Sequence, residues 1–260
     1  MTDRAALMEL FRDLRGHESR LRRPPPAGDG AVFLAEGVRL VERTQAAGHV
    51  PKALMVNTEY TKALPDLDCP VVRLTPNEIQ SLTGFGAVRD LLAMFHRPPD
   101  PDPAKVIPAA QRVLVLEGVA NPSNVGTIIR SAAALGVDAT LIGPGSGDPL
   151  GRRALRTSMG AALDHPWAVS DDPLATCREH GLTTLALTPA PDALPLAHAL
   201  AGMDGKRVAL FLGAEGPGLD DATLRGADIR VTIPMAGSVD SLNVAAAAAI
   251  ACHLLASGRE

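Results

Sequence analysis

Residues 207–219 read RVALFLGAEGPGL. The unbroken apolar run from Val208 to Leu212 stops at Gly213, and a carboxylate set among three glycines follows. A short apolar run with no polar alternation is the pattern of a strand buried on both faces, which points to a parallel sheet. Gly213, Gly216 and Gly218 let backbone approach a ligand closely or take positive φ. Outward from this stretch, further strands are expected at 112–116, 139–142, 183–187 and 229–233. Helices are expected at about 124–135, 150–163, 173–180, 219–225 and 243–256. Such alternation defines an α/β domain with a mostly parallel sheet and helices on both faces.

Ligands of open parallel sheets gather at the carboxyl ends of the strands. Two more loops of unusual composition leave such ends: NPSNVG at 121–126, and MAGSVDSLN at 235–243. Parallel strands bring all three loops to one edge, which predicts a single site. Asn124 is expected to cap the helix it opens, leaving backbone donors for an anion. Gly126 is costly in a first helical turn, so it reads as clearing space through which Arg130, four residues on, can project. Arg130 reads equally as part of a solvated face shared with Thr127. Glu215 is a turn carboxylate or the partner of a cation such as Arg130. Ser241 and Asn243 bracket the start of the last helix, where caps alone would explain them.

The first part of the chain is a smaller α/β unit with expected strands at 31–35, 52–56, 71–74 and 91–95. A helix over about 37–47 ends at Gly48, and Thr75-Pro76-Asn77-Glu78 opens another with a cap, a first-turn Pro and a third-position Glu. Leu7, Leu10, Phe11 and Leu14 fall at helical spacing, so a leading helix docks one face. Five prolines between Pro98 and Pro108 read as a stiff linker, which divides the chain into 1–97, 98–108 and 109–260.

The net charge is −4, with 14 basic against 14 acidic residues over 1–105 and 11 against 15 over 106–260. Composition therefore does not force a polyanion-binding surface. Locally, Arg12, Arg15, Arg20, Arg22 and Arg23 crowd a dozen positions around His17, either to meet phosphates or as a solvated helix end. No apolar run reaches the ~18 residues a membrane helix needs, and the first residues hold no apolar signal-peptide centre. Three widely spaced cysteines fit a reducing compartment, and the expected location is the cytoplasm. No CxxC, HxH or HExxH pairing occurs, so no metal site is expected. GPGSGD at 143–148 breaks the dinucleotide-binding spacing, which excludes a nicotinamide oxidoreductase; phosphate-loop and nucleophile-elbow patterns are missing too. One Trp, one Tyr and five Phe give little support to an aromatic base-stacking sheet.

At its three glycine- and asparagine-bearing loops the chain resembles the SpoU (TrmH-like) RNA 2′-O-methyltransferases of the SPOUT superfamily. The matching stretches are 121–136 (NPSNVGTIIRSAAALG), 210–219 (LFLGAEGPGL) and 233–248 (IPMAGSVDSLNVAAAA), in family order and spacing. RTSMGA at 156–161 matches a further signature. FLAEGVRLV at 33–41 is similar to the ribosomal-protein-like RNA-binding domain that precedes many members. The resemblance implies methyl transfer from S-adenosyl-L-methionine to a ribose 2′-hydroxyl in ribosomal or transfer RNA, with ribosomal RNA favoured. It further implies a deep trefoil knot and a homodimer whose active sites draw on both subunits. Carried over, the cofactor is held by backbone at Gly213, Ile233 and Leu242, with Leu187, Thr188, Ala214 and Met235 beside it. Asn124, Arg130, Glu215, Ser241 and Asn243 form the catalytic group. In the family this arginine is often assigned as the base. A guanidinium normally stays protonated, so Arg130 is assigned to orienting ribose and phosphate, with proton removal by Arg130 kept as the minor alternative. Glu215 is assigned to fixing Arg130, and Ser241 and Asn243 to shaping the pocket. Two departures stand out: GFGAVR at 84–89 replaces a common Pro-Gln-Gly-containing stretch, and the first motif opens with Asn121-Pro122 where an acid is commoner. The competing reading is a non-catalytic RNA-binding or assembly protein on the same fold.

Overall fold

A computed structural model describes residues 4–14, 30–85, 90–236 and 241–257. The chain divides into two compact units, Met1–Pro99 with Leu150–Leu163, and Asp100–Pro149 with Asp164–Glu260. Residues 150–163, expected inside the second domain, therefore pack with the first unit.

In the first unit, β1 (Val32–Glu36), β2 (Pro51–Asn57), β3 (Val71–Leu74) and β4 (Leu91–His96) form a sheet of order β1-β4-β2-β3. β4 runs antiparallel to β1 and β2, and β3 pairs parallel with β2. Leu34, Met55, Leu92 and Met94 join Ile79 and Leu82 in one core. Phe33, Leu54, Val56 and Phe95, of the opposite parity, are buried as deeply, so both faces are covered. Helix Pro76–Thr83 opens on a complete capping box between Thr75 and Glu78, as its sequence predicts, and ends at left-handed Gly84. Helix Val38–Ala46 lies between β1 and β2. The leading helix is short, Arg4–Glu9, and a turn carries Phe11 and Leu14 into the same core as Leu7. The continuous helix expected over 150–163 is broken: Arg152–Thr157 is helical, Met159 and Gly160 both take positive φ, and a 3-10 turn Ala161–Leu163 follows. Two successive left-handed residues cannot continue a right-handed helix. Arg152 of this segment pairs with Glu36 at the end of β1, and its guanidinium lies 3.7 Å from the centroid of the Phe85 ring.

The second unit is a seven-stranded sheet of β5 (Arg112–Leu116), β6 (Ala139–Ile142), β7 (Trp167–Val169), β8 (Thr183–Leu187), β9 (Leu194–Pro195), β10 (Val208–Leu212) and β11 (Ile229–Thr232). Its order is β7-β6-β5-β10-β8-β11-β9, and every pairing is parallel. All residues of β5 and β10, the central pair, are buried. After β5 the chain moves outward through β6 and β7, while β10 inserts between β5 and β8, so the order reverses beside the strand that opened the sequence reading. β7 and β9 were not expected: three and two residues are too few for a periodic signal, and Pro195 suits only the edge position it takes. The Pro-rich stretch also differs from a plain linker. Asp102 caps a short helix, Pro103–Val106, in which Pro103 stands at the first position where its missing N–H costs nothing. Buried Ile107 follows, and the Arg207 guanidinium donates to the carbonyls of Ile107, Ala110 and His180 at 2.6, 2.9 and 2.6 Å.

His165 is buried with its Nε2 2.9 Å from the Thr140 hydroxyl. Burial lowers its pKa to about 4. A base whose folded pKa is depressed binds fewer protons folded than unfolded, so stability falls as pH drops from the unfolded value near 6.5 toward 4. The full cost, about 3 kcal/mol, is reached below that. Denaturant titrations at pH 7.5 and 4.5 should show His165→Gln losing less stability over this interval than the native chain. Equal losses would show that His165 does not carry the pH dependence.

Among the described residues no helix is long and apolar enough to cross a membrane, and no cluster of three His, Cys, Asp or Glu could hold a metal. All three cysteines are free thiols.

Candidate functional site

β10 delivers Gly213 into a closed turn in which Ala214 and Gly218 exchange backbone hydrogen bonds at 3.0 and 3.1 Å. A Cβ at Gly213 would lie 2.3 Å from both the Gly218 carbonyl carbon and the Leu219 nitrogen. The chain closes on itself there in a way only glycine permits. Gly216 and Gly218 take φ of 90° and 77° and turn Glu215 outward at the tip.

Glu215 Oε1 accepts two amide hydrogen bonds, from Asn124 Nδ2 at 2.7 Å and from Asn243 Nδ2 at 2.6 Å. Each asparagine stands at the start of a helix: Pro122–Ala134 for Asn124, Val244–Ser257 for Asn243. One carboxylate oxygen thus ties together the three loops that the sequence predicted to converge. Charge-assisted bonds of this kind are the stronger class. Asn243 also caps its helix, accepting from Ala245 N at 2.9 Å. Asn124 does not: Asn121 is the cap, accepting from Ser123 N, and Pro122 is the first helical residue. That shift of one turn frees the buried Asn124 amide to reach Glu215.

A cleft of about 390 Å³ opens beside this junction at the carboxyl ends of β8, β10 and β11. Leu187, Thr188, Gly213, Ala214, Glu215, Ile233, Met235, Ser241, Leu242 and Asn243 all line it. Pro189, Leu212, Thr232, Val244 and Ala247 line it too and were missed. Pro189, Leu212, Thr232 and Val244 each adjoin a residue already marked, which is the signal that could have found them; Ala247 lies one turn into the last helix and gave none. Met235 and Leu242 are large apolar residues left exposed at its mouth.

Arg130 is not part of this cleft. It lies exposed on helix Pro122–Ala134, whose buried face is Asn124, Val125, Gly126, Ile128, Ile129 and Ala132. Six residues separate it from Asn124, and a helix turns roughly 240° over six residues, so the two side chains diverge. Gly126 is buried whereas Arg130 is exposed, so Gly126 does not serve as the opening through which Arg130 was expected to project. Among the described residues Arg130 pairs with no carboxylate, and Glu215 is held by the two amides instead of by Arg130. Of the arginine cluster near the start, Arg12 is exposed and pairs with Glu9 at 2.7 Å. Arg15, Arg20, Arg22 and Arg23 lie outside the described residues.

A parallel α/β sheet with a cleft at its strand-order reversal, a glycine-closed turn and a carboxylate–amide junction defines a ligand-binding enzyme scaffold. The SpoU rRNA Methylase family model matches residues 111–253. An uncharacterised tRNA/rRNA methyltransferase of Mycobacterium tuberculosis is 43% identical over 253 residues, covering 95% of this chain and 87% of that protein. The 23S rRNA (guanosine(2553)-2′-O)-methyltransferase RlmP of Bacillus subtilis is 29% identical, with 86% and 88% of the two chains covered. Among solved structures, an RNA 2′-O ribose methyltransferase aligns at TM-score 0.74 and 27% identity over 100% of this chain and 98% of that one. The SpoU methyltransferase AviRb of Streptomyces viridochromogenes, in complex with AdoMet, shares the fold at TM-score 0.76 and 22% identity over 99% of each chain. The chain belongs to the SpoU family of RNA methyltransferases.

Proposed function

We propose that this protein transfers a methyl group from S-adenosyl-L-methionine to a ribose 2′-hydroxyl of ribosomal RNA, as a cytoplasmic homodimer whose second unit carries a trefoil knot. The observation that carries the reading is the junction of Glu215 with Asn124 and Asn243 at the rim of the Gly213 cleft. The donor fits this chain's residues. The cleft volume lies within the ~300–1,000 Å³ of small-molecule sites. Leu187, Ile233 and Leu242 give it apolar walls, and Gly213 brings main chain to its edge without a side chain in the way.

The sulfonium of the donor supplies an already activated methyl group. What is left to the protein is alignment and removal of one proton. Backbone at Gly213, Ile233 and Leu242 holds the donor, and the Glu215 junction keeps the two helix starts in fixed register around it. Ser241 shapes the mouth. Arg130, exposed and turned away from its own chain's cleft, acts on the cleft of the partner subunit, where it orients ribose and phosphate.

Incubation with methyl-labelled S-adenosyl-L-methionine and total RNA, followed by nucleoside mapping, is expected to place label on a ribose of ribosomal RNA. Label on a base, on protein or nowhere would overturn the reading. Ribose label confined to transfer RNA would overturn only the substrate.

A further inference from the structure

We propose that Glu117 is the positioning residue of the methyl-donor cradle, clamping both ends of the Gly213–Gly218 turn from the neighbouring strand; the role rests on the methyltransferase reading above. Glu117 directly follows β5, and β5 pairs with β10, the strand that delivers Gly213. It does not line the cleft itself.

At the entry to the turn, Glu117 N donates to Leu212 O at 2.9 Å, the last residue of β10. At the exit its carboxylate takes over: Oε1 accepts from Asp220 N at 2.7 Å, and Oε2 accepts from Thr223 Oγ1 at 2.6 Å. Asp220 is the N-cap of helix Asp221–Gly226, and its own side chain makes no capping bond. In a capping box, a Glu or Gln at the third helical position reaches back to the N-cap N–H. Here Thr223 holds that position, and Glu117 supplies the carboxylate from 103 residues away in the chain. Gly118, the next residue, takes φ of +69°, and a Cβ there would lie 3.2 Å from Ala214 Cβ. Residues 117 and 118 therefore meet the turn at its entry, its flank and its exit.

The exit matters to the donor because the returning main chain at Gly218 and Leu219 lies directly over Gly213, where even a Cβ would clash. Asp220 is the next residue, so its bond to Glu117 holds that limb down. Hydrogen bonds to an ionised acceptor are the stronger class, and this carboxylate makes two. A residue that only stabilised a six-residue helix would have no need to grip Leu212 O as well. The strut is itself braced, and by the GPGSGD stretch at 143–148, whose glycines fit no nucleotide-binding pattern. Gly118 N donates to Pro144 O at 2.9 Å, and Gly147 N to Val119 O at 2.9 Å. Ser146 Oγ donates to Leu116 O at 2.9 Å and accepts from Val119 N at 3.2 Å. Residues on both sides of Glu117 are thus fixed before its carboxylate reaches across.

The test uses the full chain, with S-adenosyl-L-methionine affinity read by calorimetry well below the thermal midpoint and the midpoint measured beside it. Glu117→Ala is expected to weaken donor binding ~10-fold or more, the scale of one lost charged hydrogen bond. In methyl transfer to total RNA the donor KM should rise by the same factor, with kcat at saturating donor within ~3-fold of native, because only binding is lost. Glu117→Gln still offers an acceptor to Asp220 N–H and should restore affinity to within ~3-fold. Asp220→Pro deletes the same bond from its other side, at a φ of −62° that proline adopts without strain. It should weaken the donor as Glu117→Ala does, and the two changes together should cost no more than either alone. Should Glu117→Ala fail to fold, Asp220→Pro decides by itself. The control is Thr184→Val, which strips a comparable hydroxyl–carboxylate pair with Asp228 from the amino ends of β8 and β11. That variant should lower the midpoint and keep native donor affinity. Native affinity in Asp220→Pro or in folded Glu117→Ala would reduce Glu117 to a helix cap and overturn the proposal, leaving the methyltransferase reading intact. An equal loss of affinity in Thr184→Val would overturn it too. A native chain that binds no donor would remove the parent reading and this one together.

Discussion

Gly213→Ala is expected to abolish donor binding, with affinity for S-adenosyl-L-methionine falling ~100-fold or more, about 3 kcal/mol. The new methyl would sit 2.3 Å from the Gly218 carbonyl carbon and the Leu219 nitrogen. Both are main-chain atoms in a turn closed by the Ala214–Gly218 bonds, so no side chain can swing away to relieve the clash. Relief requires the turn to open, which displaces Glu215 and with it the amides of Asn124 and Asn243. The thermal midpoint should fall as well, since overpacking against backbone typically costs ~1–3 kcal/mol. Gly216→Ala is the control: its Cβ meets nothing within 4 Å, and its strain comes only from a φ of +90°. That change should cost about 1 kcal/mol of stability and leave most of the affinity. Calorimetry on both variants decides the matter, and near-native affinity in Gly213→Ala would mean that the closed turn is not the cradle.

Arg130→Ala is expected to bind the donor as the native chain does and to lose methyl transfer by ~100- to 1,000-fold, the scale for losing a single positioned cationic donor at a reacting centre. Unchanged turnover would remove Arg130 from the mechanism. Because Arg130 stands exposed and outside its own chain's cleft, the loss should be rescuable in trans. Co-expressed Arg130→Ala and Glu215→Ala chains, purified as the mixed dimer through two different tags, pair one intact Glu215 cleft with one intact Arg130. Such a dimer should regain about half of native activity, one working site of two. Each parent homodimer should stay inactive. A mixed dimer no more active than its parents would place Arg130 and the cleft on the same chain.

How much of this was legible beforehand follows from the range of each interaction. The apolar runs of β5, β8 and β10, and the capping box at Thr75 and Glu78, rest on neighbours within a few residues, and the sequence showed them directly. The convergence of the three loops followed from parallel strands alone. The partner of Glu215 did not. Arg130 and two asparagines were all chemically admissible, and the choice depended on helix Pro122–Ala134 starting at Pro122 with Asn121 as its cap. The sequence alone also allows a start one turn later, because Asn124 is as good a cap residue as Asn121.

Local chemistry by itself determined most of the elements, the parallel character of the sheet and the edge that carries the site, while most of the residues lining the cleft were named through the family resemblance. Tertiary structure alone decided that Glu215 is held by amides instead of by a guanidinium, that Arg130 faces away, and that residues 150–163 leave their sequence neighbours to pack with the first unit. The physical reason is that propensity and periodicity act over one or two turns of chain. Which of several competent polar groups meet is settled only when helices rotate to bury their apolar faces, and that rotation is a property of the packed whole.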